Sequence, residues 1–142
     1  MNKKVWMGFI AVYILLMAGN FLIHAVLLGP EYKASEWLWR PEAEFHGKFW
    51  IVWVTGLFFS YFFTFIFSKG YEAKGIAEGV RYGLYVSLMM LLPAAYNSYA
   101  VYKDYPYSLS LKWFLFGTIE YIILGVVLAM IFGMKPKGGP TS

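Results

Sequence analysis

LKWFLFGTIEYIILGVVLAMIFGM, Leu111–Met134, is apolar throughout except for a lysine near its start and one acid, Glu120. Wound as a helix at 1.5 Å per residue, it is long enough to cross a hydrocarbon layer of about 30 Å. Working back toward the N-terminus, three more such runs occur, at Val80–Tyr102, Phe49–Phe67 and Val5–Leu28. Hydrophobic residues make up 60% of the chain and charged ones 14%, against about 25% charged in soluble domains. The excess has to face lipid. The expected fold class is all-α, an integral membrane four-helix bundle with antiparallel helices, built as a single domain over residues 1–142. Barrel strands are disfavoured because the runs are too long and lack alternation of period two. The opening Met1-Asn2-Lys3-Lys4 resembles a secretory leader, but the apolar run after it is too long for one and reads as an uncleaved first helix.

The breaks between runs have local causes. Gly29-Pro30 ends the first run, Ser68-Lys69-Gly70 the second, and Lys103-Asp104-Tyr105-Pro106 forms a short turn between the third and fourth. That turn makes the last two helices neighbours. The segment Gly29–Lys48 is the one sizeable outer loop, and it is expected as a short helix or turn lying on the membrane, interrupted by Pro41. Its rings, Tyr32, Trp37, Trp39 and Phe45, with Trp50 at the border, suit headgroup depth. The glycines and prolines of Lys135–Ser142 suggest a frayed tail. Four spans place both termini and the second loop on one side with seven basic residues (Lys3, Lys4, Lys69, Lys74, Arg81, Lys135, Lys137), and leave five on the other (Lys33, Arg40, Lys48, Lys103, Lys112). By the positive-inside rule both termini are expected to be cytoplasmic.

Small residues recur at every fourth position in Gly75, Gly79, Gly83 and Ser87, with a counterpart in Gly125, Ala129 and Gly133. A strip without side chains lets helices approach closely where lipid supplies no hydrophobic drive between them. The strip serves packing of the third span on the fourth, or contact between subunits. Pro93 removes one backbone hydrogen bond within the third span and predicts a bend, static or hinge-like. Glu78 and Arg81, three apart, are placed to form an ion pair near the interface.

Glu120 is the one acid deep within a span, where a charge costs roughly 2.5–3.5 kcal/mol on insertion scales. It is expected to face the interior, either as a structural hydrogen-bonding group or as a proton, ion or metal site. Asn20 and His24 share a helix face, Asn97 lies at comparable depth, and with Glu120 and Tyr121 they form a candidate polar pocket in the outer half of the bundle. His46 with Glu42 or Glu44 is expected to close it from above. The set His24, His46, Glu44 and Glu120 is then a candidate for a divalent cation, with an interhelical hydrogen-bond network as the competing reading.

Absences narrow the classes. Without cysteine there is no thiolate site or disulfide. No phosphate-binding loop, nucleophile elbow or haem-attachment motif occurs, nor any basic patch suited to nucleic acid. No internal repeat suggests inverted transporter halves.

The stretches NFLIHAVLL (Asn20–Leu28), LWRPEAEF (Leu38–Phe45), SKGYEAKGIAEGVRYGLY (Ser68–Tyr85) and FGTIEYIILG (Phe116–Gly125) resemble an uncharacterised family of small four-span bacterial membrane proteins. That resemblance implies the four-span topology and a bacterial inner-membrane location, and carries no activity. The expected function is a non-enzymatic multipass protein, embedded in lipid, that assembles with copies of itself or as an accessory subunit of a larger membrane complex. The alternative is a proton or cation conduit, or a metal-, haem- or quinone-binding protein, using the outer pocket. A lipid-directed enzyme using His46 or Glu44 as acid or base is a third possibility.

Overall fold

A computed structural model describes residues 2–135; residues 136–142, most of the expected frayed tail, lie outside the described residues. Every regular element among these residues is helical, and four of the helices are long and apolar enough to cross a membrane. The first, α1, runs over Lys3–Asn20 and continues without a break as a π-helical stretch, Phe21–Leu27. Two short helices follow, α2 (Gly29–Ala34) and α3 (Glu42–Lys48), with a 3-10 turn at Glu36–Leu38 between them. The other long helices are α4 (Trp50–Gly70), α5 (Ile76–Val101) and α6 (Tyr107–Gly133).

The ends follow from local chemistry. The Asn2 side chain accepts the backbone N–H of Lys4 and caps α1. Pro30 sits in the first turn of α2, Pro41 immediately precedes α3, and Pro106 immediately precedes α6, positions where a missing N–H costs nothing. At the other end of α6 the Lys4 ammonium donates to the carbonyls of Phe132 (2.7 Å) and Met134 (2.8 Å), filling acceptors that the helix leaves open and complementing its dipole.

Helix α5 starts at Ile76, one turn earlier than the apolar run, because Gly75 adopts φ +77° before it and Glu78 anchors the turn. One Glu78 carboxylate oxygen accepts the N–H of Glu72 (2.6 Å) and the other that of Lys74 (2.9 Å). Between these two donors Ala73 holds φ 59°, a left-handed conformation that an alanine adopts at a cost of roughly 1–2 kcal/mol. The expected Glu78–Arg81 ion pair therefore does not form. The carboxylate is used up on backbone donors, and Arg81 remains exposed.

Helices α5 and α6 pack along their length. Ser110 Oγ donates to the Ala95 carbonyl (2.9 Å), Ser87 and Thr118 share a hydroxyl bond (2.8 Å), and Gly79 lies against the backbone of Gly125. A Cβ placed on Gly79, Gly83 or Gly125 would run into main-chain atoms of the other helix. Gly79, Gly83, Ser87, Gly125 and Ala129 are buried. Gly75 has nothing within 4 Å and serves the turn instead; Gly133 is exposed, and a Cβ there would come no closer than 3.7 Å to a neighbour, the Tyr71 hydroxyl.

Helix α1 lies between α4 and α6. Gly8 sits where a Cβ would crowd Leu128 and Thr64, and Tyr13 donates to the Trp53 carbonyl across to α4 (3.4 Å). Helix α4 reaches α5 through Tyr82, whose hydroxyl donates to the Phe63 carbonyl (2.6 Å) and whose ring meets those of Phe63 and Phe67. Two apolar cores result. The larger contains Val12, Leu16, Phe63, Leu124, Leu128 and Phe132, and the smaller gathers Ile23, Leu28, Tyr105 and Leu109.

Candidate functional site

The buried positions of α1 step by three or four through Val5, Gly8, Val12, Leu16 and, after the half-buried Gly19, Ile23; they then jump by five to Leu28. That five-residue step is the π-helical stretch, in which the Leu28 N–H reaches back to the Ile23 carbonyl (2.8 Å). It keeps Leu28 on the packed face and swings His24 toward α2. An apolar run carries no obvious mark of this widening, although the spacing of Ile23 and Leu28 is compatible with it.

Glu120 is 9% exposed and faces α1 at Gly19. A Cβ on Gly19 would overlap the carboxyl, 3.0 Å from Cδ and closer still to Oε1, so the acid occupies the notch that the glycine leaves. Its Oε1 atom is buried and has no hydrogen-bond partner. On α1 the notch separates Leu16 of the larger core from Ile23 of the smaller, and on α6 Glu120 separates Tyr121 from Phe116 in the same way. The carboxyl thus sits at a waist between two apolar layers. Three other buried oxygens among the described residues share this lack of a partner: Tyr105 Oη in the smaller core, and Ser60 Oγ and Thr64 Oγ1, which lie one turn apart on α4 with the Thr64 methyl beside Gly8.

Two helical turns before Glu120 along α6, Trp113 forms part of a polar and aromatic cap. Its indole N–H donates to the Tyr32 hydroxyl (2.7 Å), and that hydroxyl is 2.6 Å from His24 Nδ1. An indole nitrogen can only donate, so Tyr32 accepts from Trp113 and its own hydrogen is free to go to His24 Nδ1 when that nitrogen is unprotonated. Burial pushes the Tyr32 hydroxyl well above its ordinary range, against a smaller opposing effect of the Trp113 bond, and so keeps that hydrogen in place. Trp39 packs edge-on against Tyr32, at 5.1 Å between centroids, and donates to Ser35 Oγ (3.0 Å), which in turn donates to the Glu31 carbonyl (2.8 Å). The Glu31 carboxylate pairs with the Lys112 ammonium and accepts from Ser108 (3.3 Å). The Lys112 bond holds the Glu31 carboxyl below the usual carboxylate range. Tyr32 and Trp39 are therefore packed against α6, while Trp37, Phe45 and Trp50 stay exposed.

The expected pocket residues are divided between these places. His24 belongs to the cap, and Glu120 faces Gly19. Tyr121 turns to the other side of α6, where its ring meets Phe59 (4.9 Å) and Phe63 (6.0 Å). Asn20 is half-buried next to the notch, and Asn97 is exposed on α5. The set His24, His46, Glu44 and Glu120 does not converge. His46 lies 3.8 Å from Glu42 and Glu44 3.6 Å from Arg40, each one turn along an exposed stretch of chain. Among the described residues no three His, Asp or Glu side chains gather where one metal ion could bind them. The physical reason is the geometry of α3, which ends against α4 and leaves its side chains in the open. The cap itself escapes sequence reasoning. Its signal is the pairing of Tyr32 and Trp39 in the loop with Trp113 in the last span, which spacing along the chain does not reveal.

No known family pattern, curated protein or solved structure matches this chain.

Proposed function

We propose that this chain is a non-enzymatic, four-span membrane protein that takes up and releases a proton at Glu120 in the outer half of the bundle. The observation that carries the reading is the buried carboxyl oxygen without a partner, seated in a glycine notch between two apolar layers. A lone carboxyl in such surroundings suits a proton. Cations ask for several oxygen ligands at once, and among the described residues no second carboxylate or histidine joins Glu120 in a group of three that could bind one. Intramembrane acids are expensive to retain and mark proton or ion pathways, and π-helical turns such as the one beginning two residues beyond Gly19 are frequent at functional sites.

The membrane setting belongs to the same proposal. The reversed order of contacts along α5 and α6, and the meeting of Lys4 with the end of α6, support an antiparallel bundle. The lysine and arginine bias supports cytoplasmic termini, and the family resemblance supports a bacterial inner membrane. Proton flux into liposomes carrying the full chain should fall at least tenfold in Glu120→Gln, which keeps shape and removes the titrating group. Equal flux in wild type and variant, with both correctly inserted, would refute the proton reading.

A second proposal, assembly with copies of itself or with larger membrane subunits, is favoured by the aromatic flank of α4, where Trp50, Trp53, Phe58 and Phe62 stand exposed. The glycine seam is occupied within the chain, and this flank is the exposed surface richest in aromatic rings. A lone monomer in mild detergent, with nothing co-purifying, counts against it.

A further inference from the structure

We infer that the cleft between the end of α4 and the start of α5 binds the phosphate of an anionic phospholipid, with Arg81 as its main ligand. The inference rests on the membrane setting proposed above and is independent of the role given to Glu120.

The acids near Arg81 are already committed. Both Glu78 oxygens accept backbone N–H groups of the turn, and Glu72 pairs with the Lys74 ammonium, a bond that holds its carboxyl below the usual range with a lesser contribution from Arg81. Arg81 makes no hydrogen bond or ion pair with the described residues and is exposed. A guanidinium does not lose its proton, and its five donors need acceptors. Five residues into α5, about 8 Å along the helix from its start, it lies at the depth where a phospholipid presents phosphate oxygens, which match the guanidinium fork. The cleft has a volume of about 420 Å³, and Arg81 and Lys74 line it together with Ile66, Phe67, Tyr85 and the two committed acids, Glu72 and Glu78. The charged side faces the phosphate, and the apolar side continues along the exposed surfaces of Ile66 and Tyr85, where an acyl chain can lie. With both acids and Lys74 paired inside the protein, the unpaired Arg81 guanidinium is the charge left to face a headgroup, and it favours an anionic lipid over one that brings a choline cation with its phosphate.

The larger cleft at this end, about 520 Å³ between α1, α4 and α6, also has two lysines, Lys4 and Lys69. There the Lys4 ammonium is spent on the carbonyls of Phe132 and Met134, and Lys69 lies over the Phe65 ring. Of the cations lining the two clefts, Arg81 is the one left to receive a ligand.

The full chain in mild detergent should retain phosphatidylglycerol over phosphatidylcholine in native mass spectrometry. Arg81→Gln should weaken that retention about fivefold, the factor expected for one basic side chain at an anionic surface, and Arg81→Lys should fall between. Free inorganic phosphate in millimolar excess should not displace the lipid. Equal retention of the two lipids, or Arg81→Gln behaving as wild type, overturns the inference, and displacement by phosphate reassigns the cleft to a free anion. Flotation with phosphatidylcholine liposomes separates the premise from the site: both proteins should float, and failure of the wild type to do so sinks the membrane setting itself.

Discussion

Glu78 and Glu120 are buried to nearly the same degree, 8% and 9% exposed, and could hardly be used more differently. At the α4–α5 corner, Glu78 spends both oxygens on backbone donors and fixes a turn that includes a left-handed alanine. At the α1–α6 waist, Glu120 presents a buried oxygen to a glycine notch where it has no hydrogen-bond partner. Burial is common to both, so it does not mark a site; Glu120 differs in having a carboxyl oxygen left unpaired, a costlier loss than the unpaired hydroxyls of Ser60, Thr64 and Tyr105.

The same contrast extends to the glycines, and substitution can break it. Gly83→Ala sets a methyl against the main chain at Tyr121 and Ile122, which cannot yield. A loss of about 3 kcal/mol is expected, at the upper end of overpacking penalties, read as a lowered melting temperature in detergent. Glu78→Ala should cost about 2 kcal/mol by leaving two N–H groups of the turn unpaired, while Glu120→Gln stays within about 1 kcal/mol of wild type. If the order of those two is reversed, the division between a structural and a functional carboxyl fails. Gly19→Ala meets the far end of a flexible side chain rather than backbone. It should cost less than Gly83→Ala, about 1 kcal/mol, yet alter proton flux, because it displaces the Glu120 carboxyl. A change in stability with flux intact would argue that the notch is only packing.

The smallest effect concerns the cap. Glu31 is held below its ordinary carboxylate range by Lys112, so its contribution to docking α2 on α6 is full above a pH of about 4.3 and is lost as pH falls through the depressed value. Tryptophan fluorescence, dominated locally by Trp39 and Trp113, should change only below that window, and Glu31→Gln should abolish the transition. A transition centred near neutrality would point elsewhere.

Much of the bundle is legible in the sequence. Helix number and order follow from apolar length, and the observed ends differ from the runs by only a few residues, in directions set by polar residues that cap rather than stop a helix, such as Glu78 in the first turn of α5, and by Pro106 before α6. Gly79, Gly83 and Gly125 are recognisable as small residues in register. Glu120 stands out as an acid within a long apolar run, and it packs against α1 as an inward-facing residue. His46 and Glu44, expected to join it, lie on an exposed segment, because composition indicates that a loop exists but not which side of the bundle it covers.

What the residues alone dictate is the set of rods: a run of some twenty apolar residues has one economical way to satisfy its amides away from water, and that is within its own helix. What emerges only on packing is partnership. Which carboxyl meets donors, which glycine receives an acid, and which tyrosine reaches His24 depend on rotations about helix axes and on a π-helical step of five residues in α1. Those are set by the fit of side chains contributed from distant parts of the chain, a fit that no local spacing encodes.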